Sequence, residues 1–142
     1  MVTPNYGETV RLTVAQAVVK YIAAQYSVSD GVRKRFVPAA MGIFGHGNVA
    51  GLGQALDQLS DELPFVQGRN EQALGHAATA FAKHTRRTQA IAVTASIGPG
   101  ALNLVTAAGT ATVNRIPLLL LPGEHLPRRH PQHDPGAICR PR

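Results

Sequence analysis

At 142 residues and 44% hydrophobic composition, the chain is one ordinary domain, able to bury roughly two thirds of its unfolded surface. Its single cysteine, Cys139, excludes a disulfide framework, a CxxC redox pair and a zinc-ligand spacing, and makes a reducing, cytoplasmic setting the default. The formal charge of +6 invites nucleic acid, but no basic stripe is interleaved with aromatic residues, so neither a nucleic-acid nor a membrane partner is expected.

Residues 1–10 read as an N-terminal arm without the basic and apolar regions of a signal peptide. No apolar run reaches the roughly 18 residues of a membrane span. The first helix is announced by Thr13-Val-Ala-Gln16, a capping-box pattern, with Val14, Ala17, Val18, Ile22 and Ala23 as its apolar face to about Gln25. Ser27 to Arg35 is polar and carries Gly31, so it reads as a loop holding the Arg33-Lys34-Arg35 cluster. A short buried strand is expected over Met41 to Phe44. It runs straight into Gly45-His46-Gly47-Asn48, and Leu52, Leu56 and Leu59 then recur at helical spacing. Strand, glycine turn and helix bring backbone close to a ligand at the carboxyl end of a parallel sheet. The spacing is not G-x-G-x-x-G, however, so as a nucleotide fingerprint it is weak.

Leu63 to Gln67 is strand-like, and the alanine-rich Ala73 to Lys83 that follows is helical. Between them, Gly68-Arg-Asn-Glu-Gln72 is a polar knot that sets Glu71 in the first turn of the helix. A carboxylate there serves the helix dipole in most proteins. Among small residues it is also placed to be desolvated and aimed, which makes Glu71 the candidate for chemistry. Gln89 to Ala95 is a third strand, leading into Ser96-Ile-Gly98-Pro99-Gly100. A helix is expected from Ala101 to about Asn114, with Pro99 suited to its first position. Its small residues (Ala101, Ala107, Ala108, Gly109, Ala111) allow close backbone approach and predict packing inside a larger assembly. Ile116 to Leu121 is an aliphatic strand of the kind buried on both faces of a parallel sheet. The alternation predicts an α/β fold, an open, mostly parallel sheet with helices on both faces, over residues 11–123. Residues 124–142, rich in Pro, Arg and His, are expected to be a disordered tail, with His130 and His133 not a metal site.

Three motifs occur together: Gly-Arg-Asn-Glu71-Gln, Ala-Ser-Ile-Gly98-Pro99-Gly100-Ala-Leu-Asn103-Leu, and Ile-Pro-Leu-Leu-Leu-Leu-Pro-Gly123. Their order and intervals resemble the N-terminal, pyrimidine-binding domain of thiamine diphosphate-dependent enzymes of the acetolactate synthase type. Leu12-Thr-Val-Ala-Gln-Ala, Phe44-Gly-His-Gly-Asn48 and Gln67-Gly-Arg-Asn-Glu-Gln72 look most like the branch that hydrolyses a carbon–carbon bond of a cyclic dione in inositol breakdown. The resemblance covers about Arg11 to Gly123. It implies that Glu71 hydrogen-bonds a ring nitrogen of the cofactor's aminopyrimidine and so activates the thiazolium carbon. It implies that Gly98, Pro99, Gly100 and Asn103 line the cofactor, and that His46, Gly47 and Asn48 line the substrate cavity, although a structural role would also explain these turn residues. His76 is expected to be a packed or surface histidine. Many relatives carry His before the glutamate, where this chain has Asn70.

In that family the diphosphate and its magnesium are held by a separate C-terminal domain with a Gly-Asp-Gly motif, which does not occur here. No metal site is therefore expected in this chain. A diphosphate-binding domain of the same or another chain is the expected partner, within a homo-oligomer of the full-length enzyme. Weak cofactor binding and no turnover are expected of the 142 residues alone, with the tail from Glu124 marking a truncation or change of frame. The alternatives are a stand-alone binding or regulatory module completed by a partner, another acetolactate synthase-like lyase or transferase, and a nucleotide-binding α/β domain using Gly45 to Gly53.

Overall fold

The computed structural model describes residues 9–123. The expectations for most of the N-terminal arm and for the tail lie outside these residues. The core is a four-stranded, fully parallel sheet in the order β4-β3-β5-β6, formed by β3 (Ala40–Gly42), β4 (Phe65–Gln67), β5 (Ala92–Ala95) and β6 (Leu119–Pro122). Side chains on the strands alternate between two cores. Ala40, Ala92, Leu119 and Leu121 face α1 (Val14–Ala23) and α2 (Gln54–Gln58), packing with Val19, Ile22 and Leu56. Met41, Val93, Ala95, Leu118 and Leu120 face the other layer, where Ala78 of α3 (Glu71–His84) and Leu104 complete the cluster. Burial on both faces is why the inner strands, β3 and β5, read as near-continuous apolar runs.

Thr13 caps α1 as its sequence predicts: its hydroxyl accepts from the Gln16 amide at 3.2 Å, and the Gln16 side chain accepts from the Thr13 amide at 2.9 Å. The buried face of the helix agrees with the expected one at Val18, Ile22 and Ala23 and departs from it at Val14 and Ala17, which are exposed. Val14 is 82% exposed, whereas Val19, Ile22 and Ala23 are buried with Ala15 and Val18 against them. Val19 takes the place in the buried face that the expected pattern gave to Val14, where the helix begins outside the cover of the sheet and α2. Residues 27–35 are also not a loop. They form a hairpin, β1 (Tyr26–Ser29) and β2 (Val32–Arg35), closed by Asp30 (φ 52°) and Gly31 (φ 76°). Two consecutive positive φ angles make the two-residue turn whose twist matches a hairpin.

The helix expected from 101 to 114 is broken into α4 (Pro99–Leu102) and α5 (Val105–Val113). At the break the Leu104 amide donates to Ala101 O at 3.1 Å, a tightened three-residue step. Two of its small residues are used inside the domain. Ala107 and Ala111 are buried, and a Cβ on Gly75 of α3 would lie 2.5 Å from the Ala107 methyl. That close approach sets the spacing of α3 and α5.

Candidate functional site

Because all four core strands run the same way, the segments leaving β3, β4, β5 and β6 emerge at one edge. The connection from β3 runs through a wide helical turn (Val49–Gly53) and α2 to β4, whereas that from β5 runs through α4 and α5 to β6 on the other side. The crevice between the Gly45–Asn48 turn and the Ser96–Gly100 loop is therefore a topological switch point, where open α/β sheets take their ligands. The two segments touch: a Cβ on Gly45 would collide with the Ser96 side chain.

Glu71 opens α3 beside this crevice. Asn70, which the motif alone left without a role, is the N-cap, its side-chain oxygen accepting from the Ala73 amide at 2.9 Å. Its extended backbone turns the chain into the helix, and the capping contact leaves the Glu71 carboxylate free for other partners. That carboxylate, partly buried, accepts at Oε2 from the Asn103 side-chain amide at 2.9 Å. Among the described residues no donor reaches Oε1. Gly100 lies beside this free oxygen, and a Cβ there would come to 3.3 Å of Oε1 and overlap the Ser96 hydroxyl. Gly98 has φ 59° and ψ −117°, a backbone state suited to glycine. Pro99 takes the first helical position of α4, where its missing amide hydrogen costs nothing. Glu71, Gly100 and Asn103 are thus brought together from positions up to 32 residues apart.

The other predicted residues divide. His46 and Gly47 are exposed on the turn, and Asn48 is buried at 6% exposure. The Asn48 side chain accepts from the Gly45 amide at 3.0 Å and donates to Thr94 Oγ1 and Ala95 O, each at 2.8 Å. Its polar atoms hold the turn to β5, and Thr94 in turn donates to Leu121 O of β6 at 2.8 Å. Gly47 and Asn48 also border a cleft of about 830 Å³ between α1, the segment 49–58 and the end of β6, which Glu71 does not line. His76 is partly buried on α3.

Charge is distributed unevenly around this edge. Of the Lys and Arg side chains of residues 9–123, Arg33, Lys34, Arg35, Lys83, Arg86, Arg87 and Arg115 lie on β2 or at the C-terminal ends of α3 and α5, across the sheet from the crevice. On the segments that form the crevice the sole Lys or Arg is Arg69, with the imidazole of His46 in addition. A free carboxylate oxygen above a bare glycine, with little positive charge, fits a ligand that presents a hydrogen-bond donor. It does not fit a diphosphate.

Residues 13–138 match the model of the thiamine pyrophosphate enzyme, N-terminal TPP binding domain, family; thiamine pyrophosphate is thiamine diphosphate by another name. The chain belongs to this family. The TPP-binding domain is 56% identical over 123 residues to the 3D-(3,5/4)-trihydroxycyclohexane-1,2-dione hydrolase of Geobacillus thermodenitrificans. It is 55% identical over 124 residues to the same-named hydrolase of Clostridium botulinum strain Alaska E43, and 52% over 124 residues to that of Bacillus cereus strain AH820. Each match covers 87% of this chain and 19% of the relative, so the chain spans about a fifth of the length of the curated relatives it matches. The parallel sheet with a helical layer on each face is the α/β architecture the sequence predicts for residues 11–123. Among the described residues of the TPP-binding domain, no helix is long and apolar enough to cross a membrane, and no three His, Cys, Asp or Glu side chains converge to hold a metal ion.

Proposed function

We propose that the crevice holds the aminopyrimidine end of thiamine diphosphate, with Glu71 Oε1 as the hydrogen-bonding and proton-holding partner of a ring nitrogen. The domain then serves as the N-terminal part of a hydrolase acting on a cyclic dione, as the names of its relatives indicate, and we place that enzyme in the cytoplasm with a carbon–carbon bond as its target. The observation that carries this reading is the Glu71 carboxylate itself, fixed through Oε2 by Asn103 and open at Oε1 over Gly100. When bound, the cofactor supplies the carbon nucleophile that side chains lack. The chain's own residues orient and exchange protons. Glu71 holds or releases a proton at Oε1, Gly98 and Gly100 leave the wall on either side of Pro99 without side chains, and His46 and Gly47 border the substrate side. The scarcity of Lys and Arg at the crevice supports a reading in which the diphosphate and its magnesium are held by a separate C-terminal domain, where carboxylates and the phosphate oxygens would bind the metal. Exposed Leu102 and Val105, at 69% and 60%, flank Asn103 and offer apolar contact to that domain within a homo-oligomer.

The test is a hybrid enzyme in which this chain replaces the matching fifth of the Geobacillus hydrolase. The hybrid should bind thiamine diphosphate and cleave trihydroxycyclohexanedione. Glu71→Gln should fold normally and lower turnover by about a hundred- to ten-thousand-fold, the usual worth of a positioned proton-transfer group. A folded Glu71→Gln hybrid with undiminished turnover would refute the role of Glu71.

A further inference from the structure

We propose that Asn103 is a positioning residue acting through Glu71 and not a cofactor contact, an inference that rests on the proposed pyrimidine site. Two independent observations carry it. The first is the bond itself, from Asn103 Nδ2 to Glu71 Oε2 at 2.9 Å, partly buried and bridging 32 residues of sequence. The second is the break in the helix. Small and apolar residues run without interruption from Ala101 to Val113 apart from Asn103 and threonines, yet α4 ends at Leu102 and α5 begins at Val105. The tightened Leu104-to-Ala101 step lies next to Asn103. Such steps inside a helical run mark local strain or function, and here Asn103, just before it, is the residue that reaches Glu71. Leu104, just after the break, is buried against the α3 layer, so the segment is anchored on one side while Asn103 reaches the carboxylate.

The chemical consequence concerns which oxygen meets a ligand. A glutamate has three side-chain torsions, and the last is broad and roughly two-fold. With Oε2 held by an amide donor, the plane of the carboxylate is set and Oε1 alone faces the space over Gly100. Without that donor the carboxylate can rotate and present either oxygen. Positioning of this kind improves binding by lowering the ordering needed when the ligand arrives.

Two measurements decide the matter. In the 142-residue chain labelled with ¹³C-glutamate, Asn103→Leu should move the Glu71 carboxyl carbon resonance while leaving the far-ultraviolet circular dichroism unchanged. An unmoved resonance overturns the proposal without involving any cofactor. In the hybrid hydrolase, Asn103→Leu should weaken thiamine diphosphate binding by about ten- to a hundredfold, the range for a hydrogen bond to a charged group, and lower kcat with the dione's KM unchanged. In a Glu71→Ala background the same change should cost nothing further. An equal loss in both backgrounds would show that Asn103 touches the cofactor directly and overturns the proposal. If Asn103→Leu does not fold, Asn103→Asp keeps the shape, replaces the donor by an acceptor facing Glu71, and should weaken binding at least as much. A hybrid that binds no thiamine diphosphate, together with a moved carboxyl resonance, would refute the pyrimidine site and leave the pairing of Asn103 with Glu71 standing.

Discussion

Two glycines in helices of this domain should respond in opposite directions to the same substitution. In α3, the Cβ of Gly75→Ala would sit 2.5 Å from the Ala107 methyl, where ordinary contacts begin at 3.4 Å, and also 3.4 Å from a Leu104 methyl. The helices must separate by roughly 1 Å, and overpacking of that kind costs about 1–3 kcal/mol. Alanine recovers about 0.8–1 kcal/mol of helix propensity, which leaves a net loss of about 1 kcal/mol. In α5, a Cβ on Gly109 meets nothing within 4 Å, so Gly109→Ala should realise most of the propensity gain and stabilise by about 0.5–1 kcal/mol. For a domain of this size 1 kcal/mol corresponds to about 3–6 °C in Tm. The two variants should therefore differ by roughly 8 °C in thermal unfolding followed by circular dichroism. Stabilisation by both substitutions would show that α3 and α5 are not in close contact and would remove the basis for the Glu71–Asn103 geometry.

The buried link between the turn and the sheet should be expensive to cut. Asn48→Ala strands the Gly45 amide and should cost about 2–3 kcal/mol, and Thr94→Val about 1–2 kcal/mol, in urea unfolding. Because both variants break the same Asn48–Thr94 bond, the double mutant should lose clearly less than the sum; strict additivity would contradict the network. Thr13→Val deletes one half of the capping box at the start of α1 and should cost about 1 kcal/mol, read as a lower denaturant midpoint with an unchanged slope. An unchanged midpoint would mean that the capping contacts contribute nothing in solution.

The inner strands β3 and β5 were legible because they are buried on both faces, so no choice of face had to be made, whereas the edge strands β4 and β6 were marked by the prolines and glycine that bound them, Pro64 and Gly68, and Pro117 and Pro122. Their observed limits are shorter than the apolar runs, as with β5, which begins at Ala92 although the expected run starts at Gln89. The hairpin was obscured because Tyr26, Val28 and Val32 are exposed at 44%, 70% and 53%, leaving no buried face to mark it. The signal that finds it is the Asp30-Gly31 pair, suited to a tight hairpin turn, between segments that alternate in register. The face of α1 was read correctly at Val18, Ile22 and Ala23 and wrongly at Val14 and Ala17, which lie in the first turn and are exposed. At the site, the motif pointed to Glu71 and to the glycine loop, but the partnership of Glu71 with Asn103 joins residues far apart in sequence. No spacing rule reveals such a contact. It depends on how closely α3 approaches α5, and on a helix break that helical periodicity hides.

Gly42 of β3 lies opposite Thr94 of β5 in the sheet, and a Cβ at position 42 would overlap both the methyl and the carbonyl of Thr94. Thr94 also supplies the hydroxyl that satisfies Asn48 and reaches β6. Positions 42, 48 and 94 therefore form a unit of inheritance. A larger residue at 42 requires a smaller one at 94 and a displaced backbone, and any smaller residue other than serine removes one of the three hydrogen bonds of the Asn48 side chain. Homologous sequences that keep asparagine at 48 should accordingly keep glycine at 42 and a hydroxyl-bearing residue at 94, and those that change one of the three should change the others along the same lineage.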